Sequence, residues 1–188
     1  GNGKSIKLNL DLPAVSEVGL FSSLSEDSEI FDLNIFGKVT GYSYTGAIAG
    51  KSSATVKNCT NYADITSVVD YAGGISGYTN TNMNTVRNCT NYGEVKTLSS
   101  QYETACFAGG ITGYNESPVI LCGNFGKISS YNYAGGISGA SKDEIYFRLL
   151  KRYGQSELIS VLSHIPIEHY IKYYEAAGES ELNGKMFT

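Results

Sequence analysis

The chain of 188 residues has no tryptophan, three prolines, two histidines and four cysteines. Each scarcity removes a class of chemistry. The histidines lie in His164-Ile165-Pro166-Ile167-Glu168-His169. That is one residue too long for the inverted zinc-peptidase pattern, and Pro166 interrupts the helix that would put both imidazoles on one face. The cysteines include no C-x-x-C pair, so zinc lacks a ligand framework. No Ser-His-Asp order, phosphate-cradling loop or EF-hand loop occurs. Charge is sparse too, with 14 basic against 18 acidic residues and a net charge of −4, far from the basic surplus that nucleic acid demands. No apolar run is long enough to span a bilayer, and no signal peptide or lipidation motif is present. No metal, cofactor, nucleic-acid partner or membrane insertion is therefore expected. Gly1-Asn2-Gly3 reads as a linker, and the chain is expected to be a piece of a longer secreted protein.

What the chain does have is glycine, 22 residues, and tyrosine, 15 residues, and both are distributed periodically. The phrase Ala72-Gly73-Gly74-Ile75-Ser76-Gly77 recurs as Ala108-Gly109-Gly110-Ile111-Thr112-Gly113 and as Ala134-Gly135-Gly136-Ile137-Ser138-Gly139. Thr45-Gly46-Ala47-Ile48-Ala49-Gly50 is a looser copy and Val18-Gly19-Leu20-Phe21-Ser22-Ser23 a degenerate one. Their last residues are spaced 27, 27, 36 and 26 apart. A second phrase keeps the same phase: Val56-Lys57-Asn58-Cys59-Thr60-Asn61-Tyr62, then Val86-Arg87-Asn88-Cys89-Thr90-Asn91-Tyr92, with fainter versions at 30–39 and 120–128. Two phrases in register at a fixed period mark a solenoid, whose units bury their apolar faces only by stacking on a neighbour.

The units are extended rather than helical. Residues 18–145 lack apolar spacing at i, i+3, i+4 and i+7, and their short alternating pieces are rich in Val, Ile, Thr and Tyr between Gly and Asn. A period near 27 then holds about three short strands, one turn of a parallel β-helix. The expected fold is mainly β: a single-stranded parallel β-helix (β-solenoid) of about four to five coils. It carries an N-terminal strand cap and a C-terminal three-helix appendage. Residues 1–17 form the cap, whose strand is the alternating run Lys4–Leu12; 18–145 are the repeats; 146–178 are helices that cap the far end or open another domain; 179–188 are a tail. Ile145, Leu149, Leu150 and Tyr153 have helical spacing behind Ser141 and Glu144, and Gly154 ends that helix.

Stacking predicts columns of like residues, with coils ~4.8 Å apart. Ile48, Ile75, Ile111 and Ile137 make one interior stack, and Val56, Val86, Ile120 and Ile145 another. Tyr44, Tyr71, Phe107 and Tyr133 form one aromatic column and Phe36, Tyr62, Tyr92 and Phe125 a second. Asn61, Asn91 and Asn124 suit an asparagine ladder at a corner with left-handed backbone. Cys59, Cys89 and Cys122 share a column as buried free thiols, with Cys106 in an inserted loop. In the degenerate first coil, Phe21 and Ser23 replace glycines. Asp64, Glu94 and Lys127 form an outward row of mixed sign.

Gly-Gly-Ile-Ser-Gly-Tyr, Val-x-Asn-Cys and Gly-x-Val together resemble the GLUG-motif repeat of bacterial secreted and cell-surface proteins, which include adhesin-like proteins and the N-terminal regions of IgA-specific metallopeptidases. The resemblance covers roughly residues 18–145. It implies a secreted or cell-surface location in a bacterium and carries over no catalytic residue. Asn58-Cys59-Thr60 and Asn88-Cys89-Thr90 match the glycosylation sequon, but both asparagines read as corner residues in a bacterial repeat.

The third coil is nine residues longer than its neighbours, and the surplus lies within 79–84 and 99–106. Insertions in repeat proteins fall in loops on one face and carry binding. Tyr78, Asn80, Asn82, Gln101, Tyr102, Glu103 and Tyr114 are therefore the candidate ligand-binding residues, with a host or environmental glycan or a surface protein as partner. No catalytic residue is nominated. The expected function is a non-catalytic extracellular module for adhesion, ligand binding or display of another domain. The alternative is a small carbohydrate-active β-helix enzyme of polysaccharide lyase or glycoside hydrolase type. That alternative needs two carboxylates facing each other across a cleft. Asp70 and Glu103 stand alone in the sequence.

Overall fold

The structure is a computed structural model that describes residues 1–80, 85–99 and 106–141. Among these residues all regular structure is strand, and the strands wind into a parallel β-solenoid of about four turns with four sheets. The first sheet stacks Phe21–Leu24, Ala49–Ser52, Ser76–Thr79, Thr112–Asn115 and Ser138–Ser141. The second stacks Glu29–Phe31, Thr55–Lys57, Val86–Arg87 and Val119–Ile120. The third is built on Leu33–Gly41, followed by Thr60–Asn61 with Asp64–Ser67 and their successors. The fourth stacks Thr45–Gly46, Ala72–Gly73, Phe107–Gly109 and Tyr133–Gly135. The sequence predicts about three strands per turn. The structure has one more face because the chain bends at Gly74-Ile75 and its equivalents, dividing the glycine phrase between two sheets.

Strand Lys4–Leu12 pairs in parallel with Leu33–Gly41 along its whole length. Its alternation places Leu8 in the core, with Ile6 and Leu10 packed against it. The helices expected over 146–178, and Ile145, lie outside the described residues.

The isoleucine column is continuous: Ile48, Ile75 and Ile111 are fully buried and Ile137 nearly so. Each N–H donates to the carbonyl of the next isoleucine at 2.8–2.9 Å. Burying each such side chain stabilises by roughly 1.5–3 kcal/mol. The valine column is one residue out of the expected phase. Val56 pairs with Val86, and Val86 pairs with Val119, not Ile120. Val119 precedes Cys122 by the same interval that separates Val56 from Cys59, and Ile120 then takes the register of Lys57 and Arg87. The first turn is also offset: Phe21 pairs with Ala49 and Ser23 with Lys51, so neither stands at a glycine position.

Asn61 and Asn91 form the expected ladder, both fully buried. Asn61 Nδ2 donates to Asn91 Oδ1 at 2.7 Å, and Asn91 Nδ2 to Asn124 Oδ1 at 2.8 Å. The left-handed backbone lies elsewhere, at Asp32, Asn58, Asn88 and Leu121, with φ between 51° and 54°. The short polar side chains there bond locally and tolerate that region, giving a second, outer ladder. Asn88 Nδ2 donates to Asn58 Oδ1 at 2.8 Å and Asn58 Nδ2 to Asp32 Oδ1 at 2.9 Å. Leu121 ends it. A further polar column, Ser52, Thr79 and Asn115, is buried without having been expected.

The glycine phrase and the asparagine phrase meet across the interior. A Cβ on Gly74 would lie 2.1 Å from the Gly110 carbonyl oxygen and 2.6 Å from Asn91 Cγ. The backbone of one face thus rests on the amide ladder of another. Only glycine permits this approach.

Candidate functional site: an aromatic corner

The first and fourth sheets meet at a bend, and aromatic side chains from both converge there. Tyr78 and Tyr114 occupy paired positions on neighbouring strands of the first sheet. Their flanking residues Gly77, Thr79, Gly113 and Asn115 are buried, so the tyrosines are the outward members of an alternating strand. Their rings stack at 5.4 Å and 10°.

Tyr44, Tyr71, Phe107 and Tyr133 form the parallel column on the fourth sheet, at centroid spacings of 4.9, 5.3 and 4.8 Å. The two columns interlock edge to face. Tyr78 meets Tyr44 and Tyr71 at 5.9 and 6.2 Å, and Tyr114 meets Tyr71 and Phe107 at 5.8 and 6.2 Å. Such pairs each contribute about 0.5–1.5 kcal/mol beyond area burial. The corner is therefore a preorganised surface of six rings on a rigid frame.

Charged groups border it. Lys51 stands one turn below Tyr78 in the same register. Its Nζ lies 4.2 Å from the Tyr44 ring centroid and 2.7 Å from Glu17 Oε1. Tyr78 donates its hydroxyl proton to Glu116 Oε1 at 3.0 Å. Burial and then the bond to Glu116 push the Tyr78 phenol up to about 12. Tyr71 is also raised, by burial first and then by Tyr44 and Asp70. Asp70 accepts a hydrogen bond from Ser43 Oγ at 3.1 Å.

Of the seven candidate residues, Tyr78 and Tyr114 are in direct contact at this corner. Asn80 lies exposed two residues beyond Tyr78, its Oδ1 accepting from Ser53 Oγ at 2.8 Å. Asn82, Gln101, Tyr102 and Glu103 lie outside the described residues. Lys51 and Glu116 were not singled out from sequence, and Asp70 entered only as an isolated carboxylate. Lys51, Tyr78 and Tyr114 each follow the last glycine of their phrase, at Gly50, Gly77 and Gly113, and that shared position was the available signal.

The second aromatic column, Phe36, Tyr62, Tyr92 and Phe125, is exposed on the third sheet. Its rings stack at 4.7–5.1 Å, so the stacked faces are turned to each other and edges face outward. Beside it runs the mixed-charge row. Glu94 meets Lys96 at 3.2 Å and Lys127 at 3.6 Å, and its carboxyl is held below the ordinary range by Lys96 first and Lys127 second. Asp64 Oδ1 accepts the Glu94 N–H at 3.0 Å. These two carboxylates occupy successive rungs of one row rather than facing each other across a cleft.

Cys59, Cys89 and Cys122 form a column of buried free thiols. The bond to Cys89 and then burial raise Cys59, and the bond to Cys122 is the main cause of the upward shift at Cys89. Thiols held protonated in this way are poor nucleophiles. Cys106 lies just before the strand Phe107–Gly109 and is buried, and its N–H donates to Asn132 Oδ1 at 3.1 Å. Among the described residues no group of three or more His, Cys, Asp or Glu is placed to hold a metal ion.

No family model matches the chain, and no curated protein or solved structure matches it either.

Proposed function

We propose that the chain is a non-catalytic, extracellular or cell-surface repeat module of a larger bacterial protein. It binds a ligand through the aromatic corner and displays it on a rigid stalk. The single observation that carries this reading is the corner itself: six interlocked rings with carboxylates and a lysine at their border. A bend lined by aromatic side chains with a few fixed polar groups, held on strands rather than loops, has the composition of a ligand-binding site. The GLUG-like phrases support the secreted and adhesin-like part of the reading. The helical segment expected after residue 145 belongs to the same proposal, as the cover of the carboxy-terminal edge that a solenoid needs.

Glycan and extracellular-matrix arrays test it, using the full chain beside Tyr114→Ala and Tyr102→Ala. The expected outcome is a defined set of positive glycans or matrix proteins whose signal falls in Tyr114→Ala. Uniformly negative arrays would contradict the binding role and leave display alone.

A further inference from the structure

The strand Lys4–Leu12 has a neighbour on one side only. It pairs in parallel with Leu33–Gly41, and among the described residues no strand lies along its other edge. The same end of the solenoid carries Phe21–Leu24 and Glu29–Phe31, the terminal strands of the first and second sheets. The apolar interior is incompletely closed there. Ile6, Leu10, Leu20 and Ile30 are only partly buried, whereas Ile48, Ile75 and Ile111 in later turns are fully buried. Leu12, the last apolar residue of the alternating run, is 41% exposed. An unpaired edge of nine residues is a template for another strand unless charge, proline or a bulge blunts it. This edge carries two outward charges, Lys7 and Asp11. Both are exposed, and neither has an ion-pair partner among the described residues.

We propose that this edge pairs, antiparallel, with the same edge of a second copy of the chain, about a two-fold axis at Asn9. The proposal rests on the fold alone and is independent of the ligand-binding reading. Directly opposite residues of an antiparallel pair point to the same side of the sheet, so the register can be read from the sequence. About Asn9, Lys7 lies opposite Asp11 of the second copy, and Asp11 opposite its Lys7. On the core side, Leu8 meets Leu10, and Ile6 meets the exposed Leu12. The charges that would deter any other strand thus find their complements in this one. Neighbouring registers lose that match. Centring on Leu8 sets Lys7 opposite Asn9 and Leu12 against Lys4, and centring on Leu10 sets Lys7 against Pro13, which has no N–H to offer. A shift to the odd register puts Lys7 on the same side as Leu10. The contact is isologous, the same patch on both copies, so it closes at two and leaves neither edge open.

The test is sedimentation equilibrium of the full chain, native and as Lys7→Asp, Asp11→Lys and the double variant. The two-fold axis makes each single substitution act twice, turning both attractive pairs into repulsive ones. The expected result is a native monomer–dimer equilibrium, a dissociation constant raised about tenfold or more in each single variant, and recovery in the double variant. Both side chains are exposed, so the melting temperature of the dilute monomer should not change; Lys7→Gln and Asp11→Asn replace any variant in which it falls. A monomer at millimolar concentration would overturn the proposal, as would a dimer indifferent to all three variants. Failure of the double variant to recover would overturn the Asn9 register. Oligomers that keep growing with concentration would overturn the closed pair in favour of end-to-end stacking.

Discussion

Leu121 has the left-handed backbone, φ 52°, that Asp32, Asn58 and Asn88 adopt at the same corner of the preceding turns. For a leucine that conformation costs roughly 1–2 kcal/mol, and its side chain is 46% exposed where the others donate or accept along a ladder. Leu121→Asn should relieve the backbone and add a rung. We expect a gain of about 1 kcal/mol in urea unfolding; a loss would mean that the side chain is held by contacts worth more than the strain. Tyr78 provides a pH test. Its folded-state pKa, about 12, lies above the ordinary tyrosine value, so the folded chain holds this proton more tightly than the unfolded one. Its contribution is fully present below about pH 10 and is lost as pH rises through the folded value. In a rapid pH-jump phenolate titration, Tyr78→Phe should delete a group ionising near the top of the range. Deletion of an ordinary phenol would contradict the burial and the Glu116 bond.

At the scale of the strand and corner, most of the columns were legible before any coordinates. The isoleucines, both aromatic columns, the amide ladder and the three thiols recur at one period, and period alone assigns them to common rungs. The misplacement at Ile120 has a local cause. Val119, Ile120 and Leu121 are three apolar residues in a row, so hydrophobicity cannot choose among registers and only the interval to Cys122 does. The edge-to-face corner was illegible for a different reason. Whether Tyr78 reaches Tyr44 and Tyr71 depends on the bend between two sheets, which repeat spacing does not encode. The bend depends in turn on glycine. Gly74→Ala would drive a Cβ to 2.1 Å from the Gly110 carbonyl oxygen and 2.6 Å from Asn91 Cγ, a side chain that the buried amide ladder holds in place on both sides. We expect a loss of about 3 kcal/mol. Gly123→Ala is the matched control, because its Cβ would meet nothing nearer than Phe125 Cε2 at 3.5 Å, and it should stay within about 0.5 kcal/mol of the native chain. Equal effects in thermal unfolding would mean that the glycines are interchangeable spacers and that the face-to-face contact is not formed.

For the whole molecule, each turn of a solenoid touches only its neighbours, so order along the chain becomes order along the axis. That property makes one row of side chains a ruler. It also makes the ends the weak points, which is why the Lys4–Leu12 strand covering Leu33–Gly41 matters. A long unpaired edge there would invite another chain. The most direct measurement of the winding is a methyl NOE spectrum of the isoleucine-labelled full chain. Stacked turns predict cross-peaks in a single file, Ile48 to Ile75, Ile75 to Ile111 and Ile111 to Ile137, with none between Ile48 and Ile137. A cross-peak joining the two ends of that file, or isoleucines with no mutual contacts, would contradict the stacked architecture.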